Sequence, residues 1–224
     1  MMNMNDFIDI FSSSDPSSIS TSVRLLILLT ILSLAPGILI LMTSFTRIIV
    51  VLSFVRTSLA TQQMPPNQVL VGLALFLTFF IMAPTFSEVY DEALQPLFEE
   101  EITLEEAYES ASVPIKEFMA KHTRQKDLAL FLDYANSERP ETVQDIPLTA
   151  LIPAFAISEL KTAFQMGFMI FIPFLIIDMA VASILMSMGM MMLPPVMISL
   201  PFKILLFVLV DGWYLIIHSV LQGY

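Results

Sequence analysis

Long apolar runs, interrupted by one polar insert, organise this chain. Residues 1–22 are polar, with Asp6, Asp9, Asp15 and a serine patch at Ser12-Ser13-Ser14. No base precedes Arg24, whereas a secretory leader wants a positive start and a small-residue cleavage site, so this stretch reads as a tail. Val23–Met42 carries one charge, Arg24, and matches the roughly 20 apolar residues of a spanning helix, with a Pro36-Gly37 break inside it. Thr43–Gln63 follows without a clear loop; its apolar part, Ile48–Val55, is flanked by Arg47 and Arg56. Pro65-Pro66 forces a turn. Val69–Ala83 is then continuously apolar within an uncharged stretch, Asn67–Ser87, and reads as a second span bounded by Pro84.

Residues 85–150 form the polar insert, where broken 3–4 spacings of apolar residues predict helices near 101–111, 114–121 and 124–135. Pro114 suits the first turn of the middle one, and Ser137–Pro147 reads as a loop. From Pro153 the pattern is helical again. Asp178 is the only ionisable residue between Lys161 and Lys203, a stretch long enough for two passes with a turn at Met188–Pro195. A last apolar segment, Ile204–Val220, contains Asp211 and His218. No internal repeat is visible. The expected fold is an all-α, membrane-associated protein: long apolar helices in hairpins with Pro/Gly breaks, plus a small acidic helical insert. Four regions follow: a tail (1–22), an apolar helical hairpin region (23–84), the acidic insert (85–150) and C-terminal helical hairpins (151–224).

Composition strengthens the membrane reading. The chain is 56% hydrophobic and 14% charged, against about 45–50% and 25% for ordinary soluble domains. The net charge of −11 is unevenly placed. Between Glu88 and Asp145 lie 15 acids and five bases, a net of −10. Taken whole, that insert is a poor partner for nucleic acid or an anionic membrane surface. There is no cysteine, which excludes disulfides and thiolate metal sites. Counting Arg47 and Arg56 as loop charges places them in the cytoplasm. The insert then lies outside, and Lys203 returns inside, in a self-consistent four-span arrangement.

No enzyme signature is present. The chain has no phosphate loop, no nucleophile elbow and no histidine pair at metal spacing, since His122 and His218 lie far apart. No cofactor is expected. Ionisable groups inside apolar segments are functional candidates. Asp178 and Asp211 are two such groups, and Asp211 and His218, seven apart, would share one helix face. They read either as a proton relay or, more plainly, as protonated or hydrogen-bonded glue between helices. Glu159 and Lys161, two apart on a helix, cannot pair with each other. Each either finds a partner in another segment or subunit, or faces water at the edge of the insert. Phe118 and Phe131 either complete the insert's small core or anchor contacts with a neighbouring copy. Six methionines, Met186, Met188, Met190, Met191, Met192 and Met197, fall within twelve residues beside Gly189 and Pro194-Pro195. Methionine is flexible and polarizable and re-packs around a changing surface, so the cluster reads as core or lipid-facing packing, or as a deformable plug.

Several motifs, in order from about residue 40 to 215, resemble one family. They include Met42-Thr43-Ser44-Phe45-Thr46-Arg47-Ile48, Pro65-Pro66-Asn67-Gln68-Val69-Leu70 and Ser158-Glu159-Leu160-Lys161-Thr162-Ala163-Phe164-Gln165. Further on come Phe171–Asp178, Met190-Met191-Met192 with Pro194-Pro195, Pro201-Phe202-Lys203 and Asp211-Gly212-Trp213. This is similar to the FliP family. The resemblance implies a core subunit of the bacterial flagellar type III export gate in the cell membrane, within the basal body. Five copies would join FliQ and FliR partner subunits in a 5:4:1 assembly, alongside other export-apparatus membrane proteins. The channel would pass unfolded flagellar proteins. It also implies that Met190, Met191 and Met192 form a gasket around the pore, that Gly189, Pro194 and Pro195 shape their loop, and that the complex stands largely above the bilayer plane. The nearest alternative is the homologous SctR subunit of a virulence injectisome; an ion or proton transporter using Asp178 and Asp211 is a reading of a different class.

Overall fold

A computed structural model describes residues 23, 25–26, 29–30, 32–34, 37–38, 40–61, 63–136, 140–190 and 193–224. The described residues up to Ile40 belong to one unit and those from Leu41 to Tyr224 to another. In the first, the described positions are helical, and Leu26, Leu29 and Leu32 are exposed. Arg24 and Pro36 lie outside the described residues.

The second unit is helical, with no strand among the described residues. Helix α1, Phe45–Ser58, buries Arg47, Ile48, Val51, Leu52, Val55 and Ser58. Their spacing is one stripe of a 3.6-residue period. The stripe faces Ala163 and Phe174 of a later helix, with Leu70 and Ala74 completing the core. Arg47 is therefore a buried helix residue. It is not a loop charge, so the cytoplasmic assignment that counts it as one loses that premise.

Helix α2, Asn67–Val89, buries Leu70, Ala74, Thr78, Met82 and Thr85, one residue per turn. Phe76, Phe79 and Phe80 stand exposed on it. Pro84 does not end this helix. It runs on through a π-helical turn, Tyr90–Leu94, into α3, Gln95–Phe98, as one 32-residue rod. Proline removes one backbone bond inside a helix, and α2 packs along the next helix, which supports the weakened turn.

That next helix, α4, spans Leu104–His122 and begins with a capping box. Glu106 N–H donates to Thr103 Oγ1 at 3.3 Å, and Thr103 N–H donates to Glu106 Oε2 at 2.7 Å. The two expected helices, 101–111 and 114–121, are thus one. Pro114 lies buried in its interior and starts no new helix. Helix α5, Gln125–Tyr134, follows as expected. Met119, Ile146, Leu151 and Phe155 form a second cluster that docks the insert onto the start of α6, with Phe118 packed against it.

Helix α6, Leu148–Ser187, has 40 residues and contains Pro153 and Pro173; at 1.5 Å per residue it is about 60 Å long. Its Gly167 admits α1 closely: a Cβ there would lie 2.4 Å from the Phe54 ring. After a turn come α7, Pro195–Leu209, and α8, Gly212–Gln222, bent by 63° at Val210–Asp211. Asn67–Phe98 and Leu148–Ser187 are long and apolar enough to cross a membrane, and the bent α7–α8 pair makes a third if it counts as one span.

Candidate functional site: the methionine turn and the buried ion pairs

The turn between α6 and α7 is built by backbone breakers. Gly189 adopts φ +74°, which glycine reaches without a Cβ clash. Its N–H donates to Met186 O at 3.0 Å, and Met190 N–H donates to Leu185 O at 3.0 Å. This pair of bonds is the Schellman closure of a helix C-terminus. Pro194 then caps α7 and Pro195 opens it, where a missing N–H costs nothing. The turn presents Met186, Met188, Met190 and Met197 as exposed thioethers. Met191 and Met192 lie outside the described residues.

Behind this turn, one ion pair ties the hairpin together. Lys203 Nζ of α7 donates to Asp178 Oδ2 of α6 at 2.6 Å and to Ser58 O of α1 at 3.2 Å. Ser199 Oγ donates to the other Asp178 oxygen. Lys203 is 2% exposed, so its charge is compensated inside an apolar layer.

A second pair lies where α1 meets α6. Arg47 donates to Glu159, both fully buried. Its other terminal nitrogen donates to Gly223 O at 2.8 Å, and its guanidinium sits 3.9 Å from the centre of the Tyr224 ring. The Tyr224 hydroxyl donates to the second Glu159 oxygen. Burial, then the neighbouring Glu159 carboxylate, raise the Tyr224 phenol far above its usual range, so it stays a donor. Of the sequence pair, Glu159 finds its partner in another segment, and Lys161 stands exposed.

A third cluster seats α5. Arg124 reaches Asp127 Oδ2 at 2.6 Å, and Asp127 also accepts from Ser158 Oγ at 2.7 Å. Burial pushes the Asp127 carboxyl up, but the Ser158 hydroxyl and Arg124 outweigh it and hold it below the usual value. Phe118 turns inward, packing on Phe155, His122 and Tyr224. Phe131 is half-buried on α5.

Asp211 and His218 are not two residues inside one helix. Asp211 is the N-cap of α8, at the bend and in the left-handed region, φ 51°, whereas His218 lies inside that helix. Aspartate tolerates that conformation better than most residues. Asp211 has no ion pair among the described residues. Sequence reasoning missed Arg47 and Tyr224 as partners of Glu159. Only the odd burial-prone acid at 159 signalled that a cation must come from elsewhere.

A profile of the FliP family matches residues 28–220. This chain belongs to the FliP family. Relatives bearing the name flagellar biosynthetic protein FliP include one from Bacillus subtilis (strain 168), 76% identical over 221 residues, covering 99% of this chain and 100% of the relative. Others come from Pectobacterium carotovorum subsp. carotovorum, 55% identical over 91% of this chain and 79% of that protein, and Aquifex aeolicus (strain VF5), 55% identical over 91% and 86%. Membership in the FliP family makes the chain a component of the flagellar export apparatus, and its apolar helices suit a membrane location.

Proposed function

We propose that this FliP-family chain is the pore-forming subunit of the flagellar protein export gate. Copies of it assemble with FliQ and FliR, five to four to one, around a channel for unfolded flagellar proteins. The methionine turn closes that channel, with Met190, Met191 and Met192 as the constriction. One observation supports this most: a turn closed by Gly189 and Pro194-Pro195 offers flexible apolar side chains outward and leaves them unpacked within the subunit. An apolar constriction excludes ions by dewetting, and thioether chains yield to a passing polypeptide and close again. In this reading Asp178 and Lys203 brace the hairpin that carries the turn, while Arg47 and Glu159 fix α1 against α6. The transporter reading is disfavoured because Lys203 and Ser199 hold the Asp178 carboxylate, which leaves Asp211 as the single candidate carrier of the two aspartates.

The test is ion conductance of the assembled complex in planar bilayers. Replacing Met190, Met191 and Met192 together with alanine leaves assembly intact and raises resting conductance by an order of magnitude or more, since each lost side chain widens a dry constriction. Conductance at the wild-type level in an intact complex overturns the gasket assignment.

A further inference from the structure

Helices α7 and α8 are fastened to the bundle at separate places, with a joint between them. Helix α7 is held by Lys203, whose ammonium reaches Asp178 of α6 and Ser58 O of α1. The joint is Val210–Asp211, where the axis turns by 63°. Asp211 adopts φ 51° and ψ 53°, and its side chain makes no capping bond to α8. Phe207 and Trp213, one on each side of the joint, meet edge to face at 5.3 Å, and a Cβ on Gly212 would lie 2.4 Å from the Phe207 ring. Rings that touch across a bend lie on its inner side, so α8 can swing outward but cannot fold further in.

Helix α8 is thinly packed. Ile216 and Val220 are its buried apolar side chains. Beside them a groove of about 440 Å³ separates Met166, Met169, Ile170 and Pro173 of α6 from Leu215 and Ile216 of α8. The far end of α8 is fastened differently. Arg47 donates to Gly223 O at 2.8 Å, and Lys121 Nζ donates to Tyr224 O at 3.2 Å. The Tyr224 ring lies 3.9 Å from the Arg47 guanidinium and stacks on Phe118 at 6.0 Å, while its hydroxyl donates to Glu159. Two residues thus tie α8 to α1, α4 and α6 at once.

We propose that α8 is a flap, hinged at Val210–Asp211 and latched shut by Gly223 and Tyr224. Release of the latch lets α8 swing off α6 and opens the groove, while Lys203 keeps α7 in place. The latch suits release because its contacts gather on one ring and two adjacent carbonyls, so they are made or lost together. Its bond to Lys121 is exposed, within reach of water.

The full chain in detergent tests this by pulsed electron paramagnetic resonance. It contains no cysteine, so introduced cysteines take spin labels uniquely. One labelled pair, Glu117→Cys on α4 and Tyr214→Cys on α8, spans the latch. A second, Ile176→Cys on α6 and Leu205→Cys on α7, spans the Lys203 fastening. All four positions are exposed. With Tyr224 intact, both pairs give one narrow distance. Tyr224→Ala adds longer distances to the first pair and leaves the second unchanged; Tyr224→Phe, which keeps the ring, keeps the first pair narrow. An unchanged first pair in Tyr224→Ala overturns the latch, and broadening of both pairs together overturns the hinge. Should Tyr224→Ala fail to fold, hydrogen exchange of the unaltered chain decides. An 11-residue helix freed from its packing is too short to persist, so α8 amides exchange about tenfold faster than those of α7. Equal protection of the two helices overturns the proposal.

Discussion

Glu159 shows what a single residue does in this fold. It is fully buried, and Arg47 and Tyr224 between them satisfy both of its oxygens. Removing one partner of a buried pair strands the other charge, at a cost of roughly 3–5 kcal/mol. Glu159→Ala is therefore expected to lower the detergent-solubilised protein's melting temperature sharply, whereas Arg47→Met with Glu159→Met recovers most of the loss; thermal unfolding of the three proteins decides this. His122 supplies a pH signature. Burial pushes its pKa down, and the bond from its ring to Phe118 O only partly offsets that. Because the folded pKa lies below the unfolded value of 6.5, the unfolded chain binds more protons between the two. Stability is complete above about pH 6.5 and falls as the pH drops through the folded pKa. His122→Phe should flatten that acid limb in denaturation curves taken between pH 7.5 and pH 5; a slope unchanged from wild type would remove His122 from the account.

At the scale of elements, contacts between helices carry the specificity. Helix α1 approaches α6 closely only because Gly167 has no side chain under Phe54. Gly167→Ala is expected to destabilise by about 1–3 kcal/mol through overpacking. Phe54→Ala in the same protein gives back part of that loss, and a double-mutant cycle measured by denaturant unfolding reads the coupling. Helix boundaries were less legible. Pro84 reads as a stop and Pro114 as a helix start, yet both lie inside helices, since a proline interrupts one bond and tertiary packing supplies the rest. The turn at Gly189 and Pro194-Pro195 was legible because glycine at positive φ and proline at a first helical position are demands of the backbone alone.

Across the whole second unit, polar pairs fasten an apolar bundle at separate heights. Arg124–Asp127 and Arg47–Glu159 hold the insert side, and Asp178–Lys203 holds the methionine hairpin. If Asp178 and Lys203 act as a brace, exchanging them should matter less than breaking them. Asp178→Lys alone is expected to abolish export of flagellar subunits into the medium. Adding Lys203→Asp should restore a measurable fraction, and a double variant no better than the single would show that position, not pairing, is what counts. The many exposed aromatic and aliphatic side chains on α2, α6 and α7 mean that this subunit does not bury its own surface. Lipid or other subunits must cover it.

The sequence alone determined the class of solvent, the helical fold and the position of the methionine turn. Each of these follows from runs of side chains or from local backbone chemistry that is complete within a few residues. The asymmetric charge of the insert was equally visible, as were the motifs of the family. What only the tertiary structure decided was who pairs with whom. Arg47 and Glu159 lie 112 residues apart, and nothing local marks a cation at one position as the partner of an acid at the other. The same holds for Lys203 reaching Ser58 and for Asp211 standing at a bend and not inside a helix. A buried charge must be met by another, but which one meets it depends on how helices lie against each other, and that is a property of the packed molecule.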